Sequence, residues 1–268
     1  MNTRVQSYLA LIPLCLFLAA SLPAVAETVL HVAYEDKTQF PYYMGDTEKV
    51  LENPGAAVEL VRLVEERIPG LRIKFSRYPW KRCLAMLETG QVDGIFNASY
   101  NAARTRIGEY PRRDGQVDPT RRLTTISYHL YALPDTDLGW SGEAFKDNDL
   151  EIGAPLGYSI VNDLEQLGVS VMKVRSSRQS LQLLIAGRVH AVALQSVTAD
   201  FLLSRNADQL PGIVRIEPPL KTKPYYLMLS REFKAANPEL AEQIWDAIGE
   251  LREEKLETLA QPYLSEPG

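Results

Sequence analysis

The chain has little with which to cross-link itself, hold a metal or run histidine chemistry. Its 268 residues contain two cysteines and three histidines. Cys15 lies in an apolar N-terminal run and is followed by Leu-Phe-Leu, which does not read as a lipid-modified cysteine. Loss of that run leaves Cys83 alone, so no intrachain disulfide forms and hydrophobic cores must hold the fold. On an apolar helix face, Cys83 reads as a core thiol. His31, His129 and His190 stand singly on strand-like stretches and read as partly buried structural residues. There is no H-E-x-x-H, no G-x-S-x-G elbow and no metal-ligand spacing, so neither catalysis nor a cofactor or metal is expected. A long apolar run is missing after the N-terminus, and a membrane span of roughly 20 residues is excluded there. A basic excess is missing as well. The formal charge is -5, or -6 without Arg4, which argues against a nucleic-acid partner. The arginines from Arg104 to Arg122 are diluted by Glu109, Asp114 and Asp118 and read as a solvated loop.

What is present begins with export. Arg4, the apolar run Tyr8 to Ala20 and Ala24-Val25-Ala26 before Glu27 form a positive start, a short hydrophobic region and an A-x-A site. That is the pattern of a signal peptide over residues 1–26, cleaved after Ala26, and it places the mature chain in the periplasm. The remaining chain of about 240 residues exceeds the usual single core of roughly 100–150 residues, which favours two lobes.

Strand and helix signals alternate from Glu27. "VLHVAY" and "LRIKF" are β-rich. Asn53-Pro54 reads as N-cap and first helical position, followed by Ala57, Val61, Val64 and Ile68 on one face. Pro79 opens a second helix with Trp80, Cys83, Leu84 and Leu87 inward and Gly90 just past its end. Such β-α-β units imply parallel sheets covered by helices. The segment "CLAMLETGQVDGIFN" (Cys83 to Asn97) has an echo in "SLQLLIAGRVHAVALQ" (Ser180 to Gln195): helix, Gly, β-branched strand, amide. Two lobes of similar construction are expected, at 27–126 with 221–268 and at 127–220. Thr124 to Pro134 would cross between them and Val214 to Leu229 would cross back. A helix from Asn237-Pro238, with Ile244, Ile248, Leu251 and Leu259 inward, would return to the first lobe. Two crossings make a hinge, and a ligand is expected in the cleft.

The first of the paired strands ends in Asn97, Ser99, Asn101 and Arg104. Asn and Ser suit turn chemistry as well as ligand contact, and Asn101 suits a helix cap. A guanidinium is always charged and offers a planar fork that matches a carboxylate. "GAPLGYS" (Gly153 to Ser159) is a strand-to-helix loop able to aim N–H groups at an anion, but it is neither a P-loop nor a G-x-G-x-x-G fingerprint.

In order and spacing, and most specifically over "LETGQVDGIFNASYNAARTRIGEYP", the mature chain resembles the bacterial extracellular solute-binding proteins of family 3, the amino-acid-binding type II periplasmic group. The resemblance implies a two-lobed α/β fold, each lobe a mainly parallel sheet with flanking helices, joined by a two-crossing hinge. It implies Arg104 gripping a ligand carboxylate, Asn97 and Ser99 as polar contacts, and Gly157, Tyr158 and Ser159 on the far side. Gln195 stands where the family commonly has an Asp that pairs with the ligand ammonium, so Glu35 or Asp36 would have to supply that charge, or the ligand lacks an ammonium. "TQFPYY" falls where the family packs an aromatic on the ligand, making Tyr34 and Tyr42 candidates beside Phe40, Tyr43 and Tyr78; Trp80 is open to core packing or ligand contact. The function implied is a monomeric receptor for a small polar solute, serving an ABC-type permease. The alternatives are a dehydratase-like enzyme on the same fold, or a sensory or adaptor protein.

Overall fold

The computed structural model describes residues 27–265; the expected signal peptide lies outside them. The chain opens with β1 (Thr28–Glu35), α1 (Ala56–Arg67), β2 (Leu71–Tyr78), α2 (Trp80–Glu88) and β3 (Gly94–Ser99). A small hairpin of β4 (Arg112–Arg113) and β5 (Gln116–Val117) precedes the long strand β6 (Thr124–Ala132). Then come β7 (Glu151–Pro155), α3 (Ser159–Gln166), β8 (Ser170–Val174), α4 (Ser177–Ile185), β9 (Ala191–Gln195) and α5 (Ser196–Arg205). The chain returns through β10 (Val214–Leu229), α6 (Arg231–Ala236) and α7 (Pro238–Ser265).

Eight strands form one sheet in the order β2-β1-β3-β10-β6-β9-β7-β8. β1 runs parallel to β2 and β3, and β7 parallel to β8 and β9. The two parallel halves are the βαβ units expected from the alternation of signals. Between them lie the two long strands, antiparallel to each other and to their outer neighbours. The β10–β6 ladder slips between Ile216 and Lys221, where Pro218 and Pro219 have no N–H to donate.

The start of α1 departs from the capping expectation. Helix geometry begins at Ala56, and the N-cap position is Gly55 with φ 109°, not Asn53. The reason is a close backbone approach: a Cβ on Gly55 would stand 2.4 Å from Tyr43 Cα. That approach lets Ala56 N–H donate to Pro41 C=O at 3.0 Å and Ala57 N–H to Tyr42 C=O at 3.0 Å. Backbone carbonyls thus satisfy donors that a side-chain cap would otherwise serve. Pro79 is likewise the N-cap of α2 and not its first residue.

One core gathers α1 and α7 on the first half of the sheet, with Val61, Val64, Ile244, Ile248 and Leu251 buried as the 3.6-residue pattern requires. Buried Trp245 donates its indole N–H to Leu227 C=O at 2.9 Å and fixes α7 to β10. A second core runs from α2 through β6 and β10 to α3, so apolar contact is continuous across the middle of the sheet. Cys83 belongs to it, fully buried, its thiol pushed up to about 12 first by burial. The arginine-rich loop is less solvated than expected, because Arg121 ion-pairs with Glu242 at 2.5 Å and Asp246 at 2.6 Å on α7. His31 and His190 are exposed, and His129 alone of the histidines is buried. Among the described residues no helix is long and apolar enough to cross a membrane.

Candidate functional site

The C-terminal ends of β1, β3, β7 and β9 converge where the two halves of the sheet meet, the region in which open α/β sheets place ligands. They line a tight cavity of about 10 Å³, room for about one water-sized sphere. Of the residues singled out from the sequence, Trp80, Asn97, Ser99, Arg104, Tyr158, Ser159 and Gln195 line it. Tyr43, named among the aromatics of "TQFPYY", lines it too, and the structure adds Gln39, Tyr128 and Tyr225.

Arg104 reaches the cavity because the chain turns sharply after β3. Asn97 adopts a left-handed φ of 57°, a conformation Asn tolerates better than most residues, and Asn101 caps the next turn by accepting from Ala103 N–H at 2.8 Å. The short 3-10 helix Ala102–Arg106 then presents the guanidinium, which is only 8% exposed. Its Nη1 donates to Ser99 C=O at 3.1 Å and more weakly to Ser99 Oγ at 3.4 Å. Its Nη2 crosses to the other half and donates to Gly157 C=O at 2.8 Å. The Trp80 ring lies beneath the charge, 5.4 Å from ring centre to guanidinium carbon, and the Trp80 indole N–H donates to the same Gly157 carbonyl at 3.2 Å. Trp80 therefore packs in the core and faces the site at once.

The 153–159 loop acts differently from expectation. Gly157 offers a carbonyl to Arg104 and Trp80, not an N–H to an anion, and Tyr158 N–H is taken up in the turn by Pro155 C=O at 3.2 Å. The loop's polar reach comes from Ser159 and Tyr158. Ser159 Oγ accepts from Ser99 Oγ at 2.7 Å and from Lys223 Nζ at 3.1 Å. Lys223 also pairs with Asp163 behind the cavity wall, and burial, the largest influence, lowers its pKa. The Tyr158 hydroxyl donates to Glu35 Oε2 at 2.5 Å.

Glu35 was a candidate for ammonium charge, but its carboxyl stands behind Tyr158 and Gln39, not on the cavity wall. Gln39 Nε2 donates to Glu35 Oε2 at 2.5 Å. Glu35 is 5% exposed, and burial pushes its pKa up to about 7 against the opposing hydrogen bonds from Tyr158 and Gln39. Asp36 is also buried, with Lys37 Nζ 3.6 Å from its carboxyl, and does not line the cavity.

The neutral side is built on phenols. Tyr225 donates to the Tyr128 hydroxyl at 2.8 Å, and Gln195 Nε2 donates to the same oxygen at 3.3 Å. Burial raises the pKa of both tyrosines, so the phenols stay protonated. Both lie in the central strands β6 and β10, and strict alternation with Ile126 and Leu130 already places Tyr128 on an inward face; that signal was available in the sequence. Gln39 sits on an irregular segment after β1 with no periodicity to find it, and Tyr43 on the same segment was named through the resemblance alone.

Tyr34 and Tyr42 are not part of the cavity wall. Tyr34 is fully buried in the first core against Tyr43, Phe75 and Phe96, because its position in β1 faces α1 and not the cleft. Tyr42 is half-buried between the two cores. Phe40 instead bridges the halves, stacked on Phe201 of α5 at 4.0 Å. Among the described residues no cluster of His, Cys, Asp and Glu is arranged for a metal.

Helices on a sheet whose central strands join two parallel halves, with a polar cavity where those halves meet, define an α/β ligand-binding protein of the type II periplasmic-binding fold. The chain belongs to the bacterial extracellular solute-binding proteins, family 3, whose pattern matches residues 30–266. No curated protein matches the chain. Among solved structures, it is similar to a histidine kinase sensor domain with similarity to periplasmic binding proteins, at 17% identity and TM-score 0.70, covering 89% of this chain and 97% of that one. It is similar to an ancestral arginine-binding protein bound to glutamine, at 18% identity and TM-score 0.67, covering 89% and 98%. It is also similar to AncCDT-1, an ancestral amino-acid-binding precursor of cyclohexadienyl dehydratase, at 14% identity and TM-score 0.63, covering 88% and 94%. These are likenesses of fold.

Proposed function

We propose that this chain is a periplasmic receptor, exported by a signal peptide cleaved after Ala26, that closes on a small polar, carboxylate-bearing solute and delivers it to an ABC-type permease. The working lobes are residues 27–126 with 221–268 and residues 127–220, acting as a monomer. One contact carries this: the buried Arg104, held on the first half, donates to Gly157 on the second at 2.8 Å. A charged planar fork thus stands at the seam between the halves, beside Ser99 and Ser159, where a carboxylate would replace backbone carbonyls as its acceptor. A solute that touches both lobes only when they are closed stabilises the closed form by that difference in contact. The likeness to an arginine-binding protein holding glutamine supports an amino-acid-sized solute.

A thermal-shift screen of carboxylates, amino acids and small cyclic acids tests the binding reading. A stabilising carboxylate should raise the melting temperature through linkage, and no stabilisation by any of them would sink it. Uptake of the identified solute by cells with and without the gene tests the link to import.

A second reading has one observation in its favour. Lys223 donates to Ser159 Oγ at 3.1 Å and pairs with Asp163 behind the cavity wall, a lysine and an acid such as a dehydratase on this scaffold would use. Incubation with prephenate or arogenate, with no product formed, removes that version.

A further inference from the structure

The hydrogen bonds already made around the cavity determine which polar atoms are left for a solute. Ser159 Oγ accepts from both Ser99 and Lys223, which occupies its two acceptor positions and leaves its own O–H to donate. The Tyr128 oxygen accepts from both Tyr225 and Gln195, so its O–H is likewise left as a donor. Asn97 Oδ1 accepts from Thr124 Oγ1 at 3.0 Å, and its buried Nδ2 has no partner. Arg104 makes three hydrogen bonds with five N–H groups. Against these donors, the acceptors left on the wall are neutral: the unpartnered Gln39 Oε1 and the carbonyl oxygen of Gln195. Among the described residues no Asp or Glu lines the cavity.

We infer that the solute is a small carboxylate whose other polar groups are oxygen acceptors, a 2-oxo or 2-hydroxy acid, and that the site discriminates against the corresponding 2-amino acid. This rests on the carboxylate-receptor reading above and narrows it. A carboxylate with a neighbouring carbonyl or hydroxyl oxygen gives the Ser159, Tyr128 and Asn97 donors their acceptors, and buried donors without acceptors are costly. An α-ammonium brings three N–H donors and a positive charge close to Arg104, with only amide oxygens to receive it. Glu35 does not repair this, because its carboxyl stands behind Tyr158 and Gln39 and does not line the cavity. Lys223 is a positioning residue: its N–H on Ser159 fixes that hydroxyl as a donor.

The test is calorimetry with matched pairs: pyruvate and alanine, 2-oxoglutarate and glutamate, 4-methyl-2-oxopentanoate and leucine, phenylpyruvate and phenylalanine. The expected result is one pair in which the oxo acid binds at least about tenfold tighter than its amino counterpart. In that pair Gln195→Glu should move the ratio toward the amine, and Lys223→Met should weaken the oxo acid by about tenfold while leaving binding detectable. An amino acid binding as tightly as its oxo partner, or more tightly, overturns this inference and leaves the carboxylate reading standing. Binding by neither member of any pair overturns both.

Discussion

The ends of β3 and β9 begin from the same sequence device, an amphipathic helix, a glycine and a β-branched strand that finishes in an amide, yet they build opposite surfaces. Near the end of β3 the chain takes a left-handed step at Asn97, then adds a capped 3-10 turn and folds Arg104 back over its own strand end. After β9 it runs directly into α5, with Gln195 as the N-cap residue and its amide held on Tyr128 rather than on the helix. One edge therefore carries a fixed positive charge and the other a hydroxyl and an amide. The repeated unit sets the backbone, and the few residues after the strand set the chemistry.

Removing each edge in turn should break the symmetry most visibly. Arg104→Ala is expected to weaken the carboxylate found in the screen by roughly 2–5 kcal/mol, the range for one partner of a buried charged contact. Gln195→Ala should cost only about 1 kcal/mol, since it removes one neutral hydrogen bond. Calorimetry on the two variants decides the matter, and equal losses would mean that the charged edge is not the anchor.

Glu35 sharpens the same contrast, because its carboxyl is bonded to Tyr158 and Gln39 of the cavity wall. Its pKa rises from 4.5 to about 7, burial being the first cause. Between those values the native protein holds a proton that the unfolded chain has lost, so stability is full below pH 4.5 and falls as pH rises through 7. The fall attributable to this group is on the order of 3 kcal/mol. Glu35→Gln keeps an acceptor for Tyr158 and should flatten that part of the slope. Denaturant melts across the window measure it, and superimposable slopes would place Glu35 outside the proton balance.

Much of the frame was legible because it rests on periodicity. The inward faces of α1 and α7 and the βαβ units follow from spacing alone, and the echo around Gly90 and Gly187 marked the two strand ends. The cavity wall was less so, for reasons of geometry. Gln39 and Tyr43 come from an irregular segment held by the close approach of Gly55, and no residue pattern encodes that approach. Gly157 shows its carbonyl instead of its N–H because Arg104 and Trp80 compete for it, a contact between residues distant in the chain. Lys223 matters only through Ser159, across the antiparallel return of β10.

The turn that separates the two edges can itself be tested. Asn97→Val places a β-branched side chain at a φ of 57°, which should cost about 1–3 kcal/mol of stability, while Asn97→Gly keeps the conformation open and should cost less. Chemical denaturation of both variants reads the difference, and equal costs would show that the left-handed step is not what turns the chain.

The smallest effect belongs to Tyr34, whose neighbour Glu35 joins the hydrogen-bonded group behind the cavity while Tyr34 points into the first core. Its hydroxyl is buried without a hydrogen-bond partner, and the Arg77 guanidinium lies over its ring at 5.0 Å. Tyr34→Phe removes the unpaired hydroxyl and leaves the ring packing against Tyr43 and Phe96 intact, so stability should stay unchanged or rise by less than about 1 kcal/mol. Solute affinity should be the same within error, because the residue touches no part of the cavity wall. A clear loss of affinity with unchanged stability would return Tyr34 to the site and would mean that β1 presents its aromatic face to the cleft, extending the polar edge of β3 onto a third strand.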